Sequence, residues 1–310
     1  MLAIRNITLE GPDCVGKSTL YSNIHRATKF KWNIQDRSQL SMLCYARQYG
    51  RHSEVDRWRR DLDAFLLDLN NRLIVLLPDF QVIAQRLQER GDEFQDIDSL
   101  RTLHGLFQEE VDRLGPRPNI LVVREALGPV ELSSSCVQWL IRPEHLTLLG
   151  VASEVRRLAE SMKDREARGC RFQIAVSPDE FSVADAAPMR HLPEEVYYSR
   201  ILASVLQNIE DELAGKNEYC TKQDPYKTRR FIFTQDSCIS LVHTMLRGSE
   251  LSMRVYCRSS NTEDTFHHDL QFIYYLYSRV YNRLAARLGW SKPARGVFTI
   301  DIELGSAHIP

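Results

Sequence analysis

Nine consecutive residues, Gly11-Pro12-Asp13-Cys14-Val15-Gly16-Lys17-Ser18-Thr19, restrict this chain more than any others. They satisfy the pattern G-x-x-x-x-G-K-S/T in full. The glycines let the backbone curl until its N–H groups face one point. Lys17 adds a positive charge there, Ser18 adds a hydroxyl that can hold Mg²⁺, and a following helix would aim its positive end at the same point. The chemistry is that of a polyphosphate cradle. The context is the required one: Met1–Glu10 (MLAIRNITLE) is a mostly apolar, β-prone run, and Ser18–Thr28 has helical character.

The alternation continues. Asn71–Pro78 (NRLIVLLP) and Asn119–Arg124 (NILVVR) read as buried strands. Between them Phe80–Arg90 reads as a helix, and Ile97–Leu114 carries Leu100, Leu103, Leu106, Phe107 and Val111 at helical spacing. Strands alternating with helices predict a parallel sheet covered on both faces. Leu127–His145 reads as the end of that unit and a connection. Beyond it the pattern changes. A charged helix is expected over about Val151–Arg168, a strand at Cys170–Ser177, a loop at Pro178–Pro188 and a long helix at Glu194–Gly215. Strands follow at Arg230–Thr234, Ile239–Leu246 and Leu251–Arg258, then an aromatic helix at Asp264–Leu288 and a last strand at Gly296–Leu304. Clustered strands predict an α+β second domain. The expected organisation is an α/β P-loop parallel sheet with flanking helices over 1–146 and an α+β domain over 147–310.

Composition narrows the setting. Lys and Arg total 40 against 41 Asp and Glu, a net charge of −1, which does not favour a nucleic-acid partner. No apolar run approaches the roughly 20 residues of a membrane helix, and the direct entry into a strand-like segment predicts no signal peptide. The seven cysteines are scattered without C-x-x-C spacing, so free thiols in a reducing cytoplasm (host cytoplasm for a viral chain) are expected.

The loop defines a phosphate site and leaves the acceptor open. Leu9-Glu10-Gly11-Pro12-Asp13 through Thr19 resembles the opening of thymidylate kinases and related deoxynucleoside kinases. Asp36-Arg37-Ser38-Gln39-Leu40-Ser41 is similar to the D-R-x-x-x-S element of that family, although it follows the loop sooner. The resemblance implies that Arg37 grips the acceptor phosphate and that Asp36 lies near the transferred group. Ile74–Arg90 resembles the strand and helix leading to the family's lid, and Arg86 and Arg90, one turn apart, could clamp the travelling phosphoryl. ATP and Mg²⁺ would serve at Gly11, Asp13, Gly16, Lys17, Ser18 and Thr19, with Ser18 on the metal.

The C-terminal half resembles thymidylate synthases. Asp224-Pro225-Tyr226-Lys227-Thr228-Arg229-Arg230 is similar to their D-P-x-S-R-R phosphate element. Cys238 precedes Arg258 by 20 positions, the spacing between catalytic cysteine and phosphate-binding arginine in that family. Arg258-Ser259-Ser260-Asn261 is similar to R-S-x-D, and Gly305–Pro310, with His308, echoes G-D-x-H-x-Y. The family's Gln is replaced by His243 and its base-reading Asn by Asp269. Asp in that place resembles the deoxycytidylate hydroxymethylase branch, because a carboxylate accepts from an amino group but cannot donate to O4. The resemblance implies a Cys238 thiolate that adds to a pyrimidine, Arg229, Arg230, Arg258 and Ser259 on the 5′-phosphate, and a homodimer built through this domain. It also implies 5,10-methylenetetrahydrofolate wherever C5 chemistry is retained. Other features depart from the family: Arg230 and Cys238 lie eight residues apart, Ser306 and Pro310 replace the last motif's Asp and Tyr, and with the chain ending at Pro310 no folate-closing tail is expected. Three functional readings therefore stand: a two-activity deoxypyrimidine enzyme; a kinase, acting on nucleotides or on hydroxymethylpyrimidine in DNA, with a non-catalytic second domain; or a P-loop NTPase module.

Overall fold

The structure, a computed structural model, describes residues 2–90, 96–176, 195–214, 230–247, 250–289 and 298–310. It divides into two compact units, Ile4–Pro143 and Glu144–Pro310, the latter joined by the first three residues.

The first unit is an α/β layer. Four parallel strands, β1 (Asn6–Glu10), β2 (Asn33–Asp36), β3 (Asn71–Leu76) and β4 (Ile120–Val123), lie in the order β2-β1-β3-β4. The helices are α1 (Lys17–Thr28), α2 (Gln39–Gln48), α3 (His52–Leu66), α4 (Phe80–Arg90), α5 (Ile97–Leu114) and α6 (Pro129–Leu140). β3 shows why both faces are covered. Ile74 and Leu76 enter one core with Leu20, Ile24 and Trp139, while Leu73, Val75 and Leu77 enter another with Leu43, Leu62 and Phe107. Side chains alternate along a strand, so a strand whose run Leu73–Leu76 is apolar at every position needs a layer on each side. From β1 the chain crosses to β2 on one side and then to β3 on the other. This reversal opens a crevice at the carboxyl ends of β1 and β3, where open α/β sheets bind ligands.

The second unit is built on a mixed six-stranded sheet. After a 3₁₀ turn (Pro143–Leu146) come α7 (Leu148–Glu160), β5 (Glu166–Val176), α8 (Glu195–Leu213), β6 (Arg230–Thr234), β7 (Ile239–Arg247), β8 (Glu250–Cys257), β9 (Ser260–Asn261), α9 (Phe266–Leu288) and β10 (Phe298–His308). The order is β5-β10-β8-β7-β6, with β9 paired to β10. β10 runs antiparallel to β5 and parallel to β8 and β9. α9 packs on α7, α8 and β8. It buries Phe266, Leu270, Phe272, Ile273, Leu276, Tyr277 and Leu284, an apolar face too wide for a helix with one solvated side.

Three sequence expectations are corrected. The charged helix stops at Glu160, because Arg165 adopts a positive φ of 53° and turns the chain into β5, which already includes Glu166–Arg168. Leu127–His145 is not a plain connection. It holds α6, whose Leu132, Cys136, Trp139 and Leu140 share one buried face behind a run of serines that hides the helical period. The last strand runs on to His308, past the expected end at Leu304. The expected loop at Pro178–Pro188 and the segment Asp224–Arg229 lie outside the described residues. Among the described residues no helix is long and apolar enough to cross a membrane.

Candidate phosphate-transfer site

The loop after β1 lines a cavity of about 490 Å³ together with Asp36, Arg37, Arg86 and Arg90. Backbone conformation makes the cradle. Gly11 has φ 131°, and a Cβ there would lie 2.2 Å from the Leu76 carbonyl oxygen of β3. The loop can therefore pass this close to β3 only with glycine. Gly16, at φ 98°, is the cap residue of α1; it supplies no side-chain cap, and the first turn holds no acidic residue. The leading amides of α1 thus remain directed at an anion outside the helix.

Lys17 is buried, and its ammonium donates to the carbonyls of Gly11 at 2.7 Å and Pro12 at 2.6 Å. Burial lowers its pKa, opposed chiefly by the Asp13 carboxylate. The Asp13 carboxylate in turn accepts from Arg37 and, at 3.1 Å, from the Tyr45 hydroxyl. The Arg37 guanidinium lies 5.6 Å from the centre of the Tyr45 ring. Burial raises the Tyr45 pKa, with the Asp13 charge next in effect, so its hydroxyl stays a donor. Arg86 reaches in from α4 and donates to the Val15 carbonyl at 3.3 Å. Arg90, one turn on, is exposed at the cavity's edge. Ser18, Thr19 and Asp36 line the same cavity with exposed side chains. Its walls thus carry four cationic side chains against two carboxylates.

One carboxylate that carries this geometry was not read from the sequence. Glu10, the last residue of β1, is fully buried. It accepts from the Ser38 amide at 2.7 Å, from the Ser38 hydroxyl at 2.9 Å and from the Ser41 hydroxyl. Burial raises its pKa, and the Ser41 and Ser38 bonds oppose the rise. It ties the residue before Gly11 to the residue after Arg37, whose own φ is 70°. A charge ending the first strand, directly before the first motif glycine, was the available signal.

In the second unit the structure brings some of the sequence-derived residues together. Cys238 is exposed just before β7, and its carbonyl accepts from the Arg258 amide at 2.8 Å. The Arg258 guanidinium pairs with Asp236 at 2.6 Å. Ser259 lies 3.4 Å from Nδ1 of His308. Asp269 is buried one turn into α9 and accepts from the Tyr198 hydroxyl at 2.8 Å. The neighbouring Tyr197 hydroxyl accepts from the Ile239 amide at 3.0 Å and donates to Ser237 at 3.2 Å. Burial raises the Tyr197 pKa, and smaller contributions come from both Cys238 and Asp269. Asn261 accepts from the amides of Glu263 and Asp264 and turns the chain toward α9. His243 sits in mid-β7 opposite Ile232 and Arg254. Arg230 starts β6, and Arg229 lies outside the described residues. Tyr197 and Tyr198 were missed; adjacent aromatics in a long helix read as ordinary core.

No family model matches the chain, and no curated protein matches it. Among solved structures the chain is similar to a crystal structure of the YorR protein from Bacillus subtilis in complex with phosphorylated GDP. The identity is 20%, the TM-score is 0.37, and the match covers 46% of this chain and 98% of that one.

Proposed function

We propose that the first unit transfers a phosphoryl group from ATP to a deoxypyrimidine nucleotide. The observation that carries the reading is one cavity uniting Asp13–Thr19 of the loop with Asp36, Arg37, Arg86 and Arg90. A switch that only hydrolyses ATP needs the loop; a second set of cations beside it suits a second phosphate group. Lys17 and the α1 amides hold the β/γ-phosphates. Arg86 and Arg90 stabilise charge on the travelling group, and Arg37 holds the acceptor. Asp36 is the carboxylate that would lie near the transferred group and orient the acceptor. The Ser18 hydroxyl is an oxygen donor that suits Mg²⁺, which would supply charge neutralisation to the phosphates when bound.

The second unit, within the proposed domain 147–310, is read as a deoxypyrimidine monophosphate site of thymidylate synthase type. What supports this is the Cys238–Arg258 backbone bond and the buried Asp269 bonded to the Tyr198 hydroxyl. Cys238 would add to the pyrimidine, Arg258 and Ser259 would hold its phosphate, and Asp269 would prefer cytosine. Its use of methylenetetrahydrofolate, its assembly as a homodimer and a cytoplasmic location belong to the same proposal.

Incubation with ATP–Mg²⁺ and a panel of deoxynucleoside monophosphates and hydroxymethylated DNA, following labelled phosphate, tests the kinase reading. Transfer to a pyrimidine monophosphate is expected, and Lys17→Ala should abolish it. Release of free phosphate alone would make the unit an NTPase. Transfer only to DNA would move the acceptor into the polymer. Binding of dCMP more tightly than dUMP is the expected result for the second unit, and the reverse preference sinks the Asp269 assignment.

A further inference from the structure

The far end of α1 carries a feature that phosphoryl transfer in the cavity does not use. Phe30 is 74% exposed, the least covered aromatic side chain among the large exposed hydrophobics of the described residues. It is not left there by a loose end. Lys29 and Phe30 both take positive φ, 51° and 59°, a conformation that L side chains adopt only against steric resistance. The turn is closed by the Phe30 amide donating to the His25 carbonyl at 3.0 Å. Strain held in place by a defined hydrogen bond presents the ring outward instead of folding it away.

The ring is part of a stack. Phe30 lies 4.9 Å from the His25 ring at an interplanar angle of 25°, and Tyr21 meets His25 edge-on at 4.5 Å. Tyr21 is itself exposed. Around them stand Arg26, Lys29 and Lys31, all exposed. From Cys14 to Gln35 the sequence holds no Asp or Glu, in a chain whose net charge is −1. The elements packed against α1 add few carboxylates: Glu10 on β1 is buried against Ser38 and Ser41, Asp36 on β2 faces the cavity, and Glu131 on α6 bonds the Gly128 amide.

An outward aromatic face among cations, with few acids on the described elements packed against it, fits a ligand that is flat, apolar on its faces and negatively charged along its length. We propose that the Tyr21–His25–Phe30 stack, with Arg26, Lys29 and Lys31, is a station for single-stranded nucleic acid. A base stacks on Phe30 and the adjacent phosphates meet the three cations. A duplex hides its bases and offers only phosphate. A protein partner would use the ring but has no need of the uniform positive charge. α1 spans 12 residues, so about 18 Å separates the station from the phosphate cavity at the other end of the helix. The exposed positions Ser18, Thr19, Tyr21 and Arg26 lie along the way.

The test reads binding and does not depend on the transfer reaction. The probe is a fluorescently labelled oligodeoxythymidylate of about twelve nucleotides, measured by anisotropy with the full chain and saturating ATP to fill the cavity. The wild type should bind with a log–log salt slope of about −2, the value for three phosphate contacts on a single strand. Phe30→Ala should weaken binding at least about fivefold and Phe30→Trp should retain it. Replacing Arg26, Lys29 and Lys31 by Gln together should flatten the slope. Because Phe30 is exposed, the alanine variant should keep the wild-type melting temperature and its ATP binding. Equal affinity of wild type and Phe30→Ala overturns the proposal, as does equal binding of the matching duplex. Phe30-dependent binding to phosphatidylglycerol vesicles without binding to the oligonucleotide overturns it in favour of a membrane surface. Loss of transfer activity in the panel experiment would leave these binding results standing.

Discussion

Glu10 tests whether the cavity is held by the network beneath it. Glu10→Ala removes the acceptor of three hydrogen bonds at once: the Ser38 amide, the Ser38 hydroxyl and the Ser41 hydroxyl. The hydroxyls can turn elsewhere, Ser41 to the carbonyl one turn back. The Ser38 amide cannot, because the left-handed Arg37 fixes its direction. One orphaned, part-buried amide costs about 1–3 kcal/mol, and the two weakened hydroxyls and the vacated side-chain volume bring the loss to about 3–5 kcal/mol. Glu10→Gln keeps one carboxamide oxygen for Ser38 and offers its NH₂ to a rotated Ser41, so it should cost about 1 kcal/mol. Denaturant unfolding followed by tryptophan fluorescence measures both, since Trp32, Trp58 and Trp139 all lie in this unit.

Two further readouts separate positioning from mere stability. Both variants should raise the acceptor KM more than the ATP KM, because Glu10 holds the Arg37 side of the cavity and Lys17 is held by Gly11 and Pro12. The pH dependence has a definite sign. Burial raises the Glu10 pKa above its ordinary value of 4.5, so between that value and its own midpoint the folded chain binds more protons than the unfolded one. Stability therefore falls as pH rises through that window, and Glu10→Gln should remove this component. A Glu10→Ala loss below 1 kcal/mol, or equal shifts in the two KM values, would refute the reasoning.

Gly11→Ala should destabilise the first unit by about 2–4 kcal/mol and abolish ATP binding in calorimetry, because the new Cβ would lie 2.2 Å from the Leu76 carbonyl at φ 131°. Phe107→Ala empties a fully buried site in the core between α2, α3 and α5; it should cost about 3–5 kcal/mol in chemical denaturation while leaving KM values near wild type. Among the cysteines of the described residues, thiol labelling with mass mapping should modify the exposed Cys238 first and spare Cys44, Cys136 and Cys257, which are buried, Cys136 with its pKa pushed up to about 12. Cys14, half-buried in the phosphate loop, should react slowly and be protected by ATP.

The parallel sheet was legible because Leu73–Leu76 and Ile120–Val123 are unbroken apolar runs and β1 lies in a mostly apolar N-terminal segment. β2 was not, since Asn33–Asp36 holds one apolar residue, Ile34, and the strand is specified by its register on β1 instead of by its own composition. α2 and α3 escaped for a related reason. Their buried residues, Leu40, Leu43, Cys44, Leu62 and Leu66, are spread across a charged stretch whose apolar face shows only against α5. In the second unit the strands were legible individually. Their order was not, because β10 inserts between β5 and β8 and no local signal encodes a long-range parallel partner.

The site divides along the same line. Residues fixed by a local backbone requirement could be read: Gly11 and Gly16 by positive φ, Lys17 and Ser18 by their place at the helix start. Asp36 and Arg37 could be read as a pair, but what Arg37 does in the folded chain could not. Its partner Asp13 lies 24 residues earlier, and its conformation depends on Glu10, a residue that a strand pattern treats as an exception. Each cation of the cavity whose hydrogen bonds are seen, Lys17, Arg37 and Arg86, already has a partner from the phosphate loop itself. A phosphate entering the cavity therefore exchanges these bonds for its own, and the net gain is smaller than the number of cations suggests. Affinity then rests on the α1 amides, which Gly16 leaves without a side-chain cap, while the cations set which oxygen of the ligand goes where.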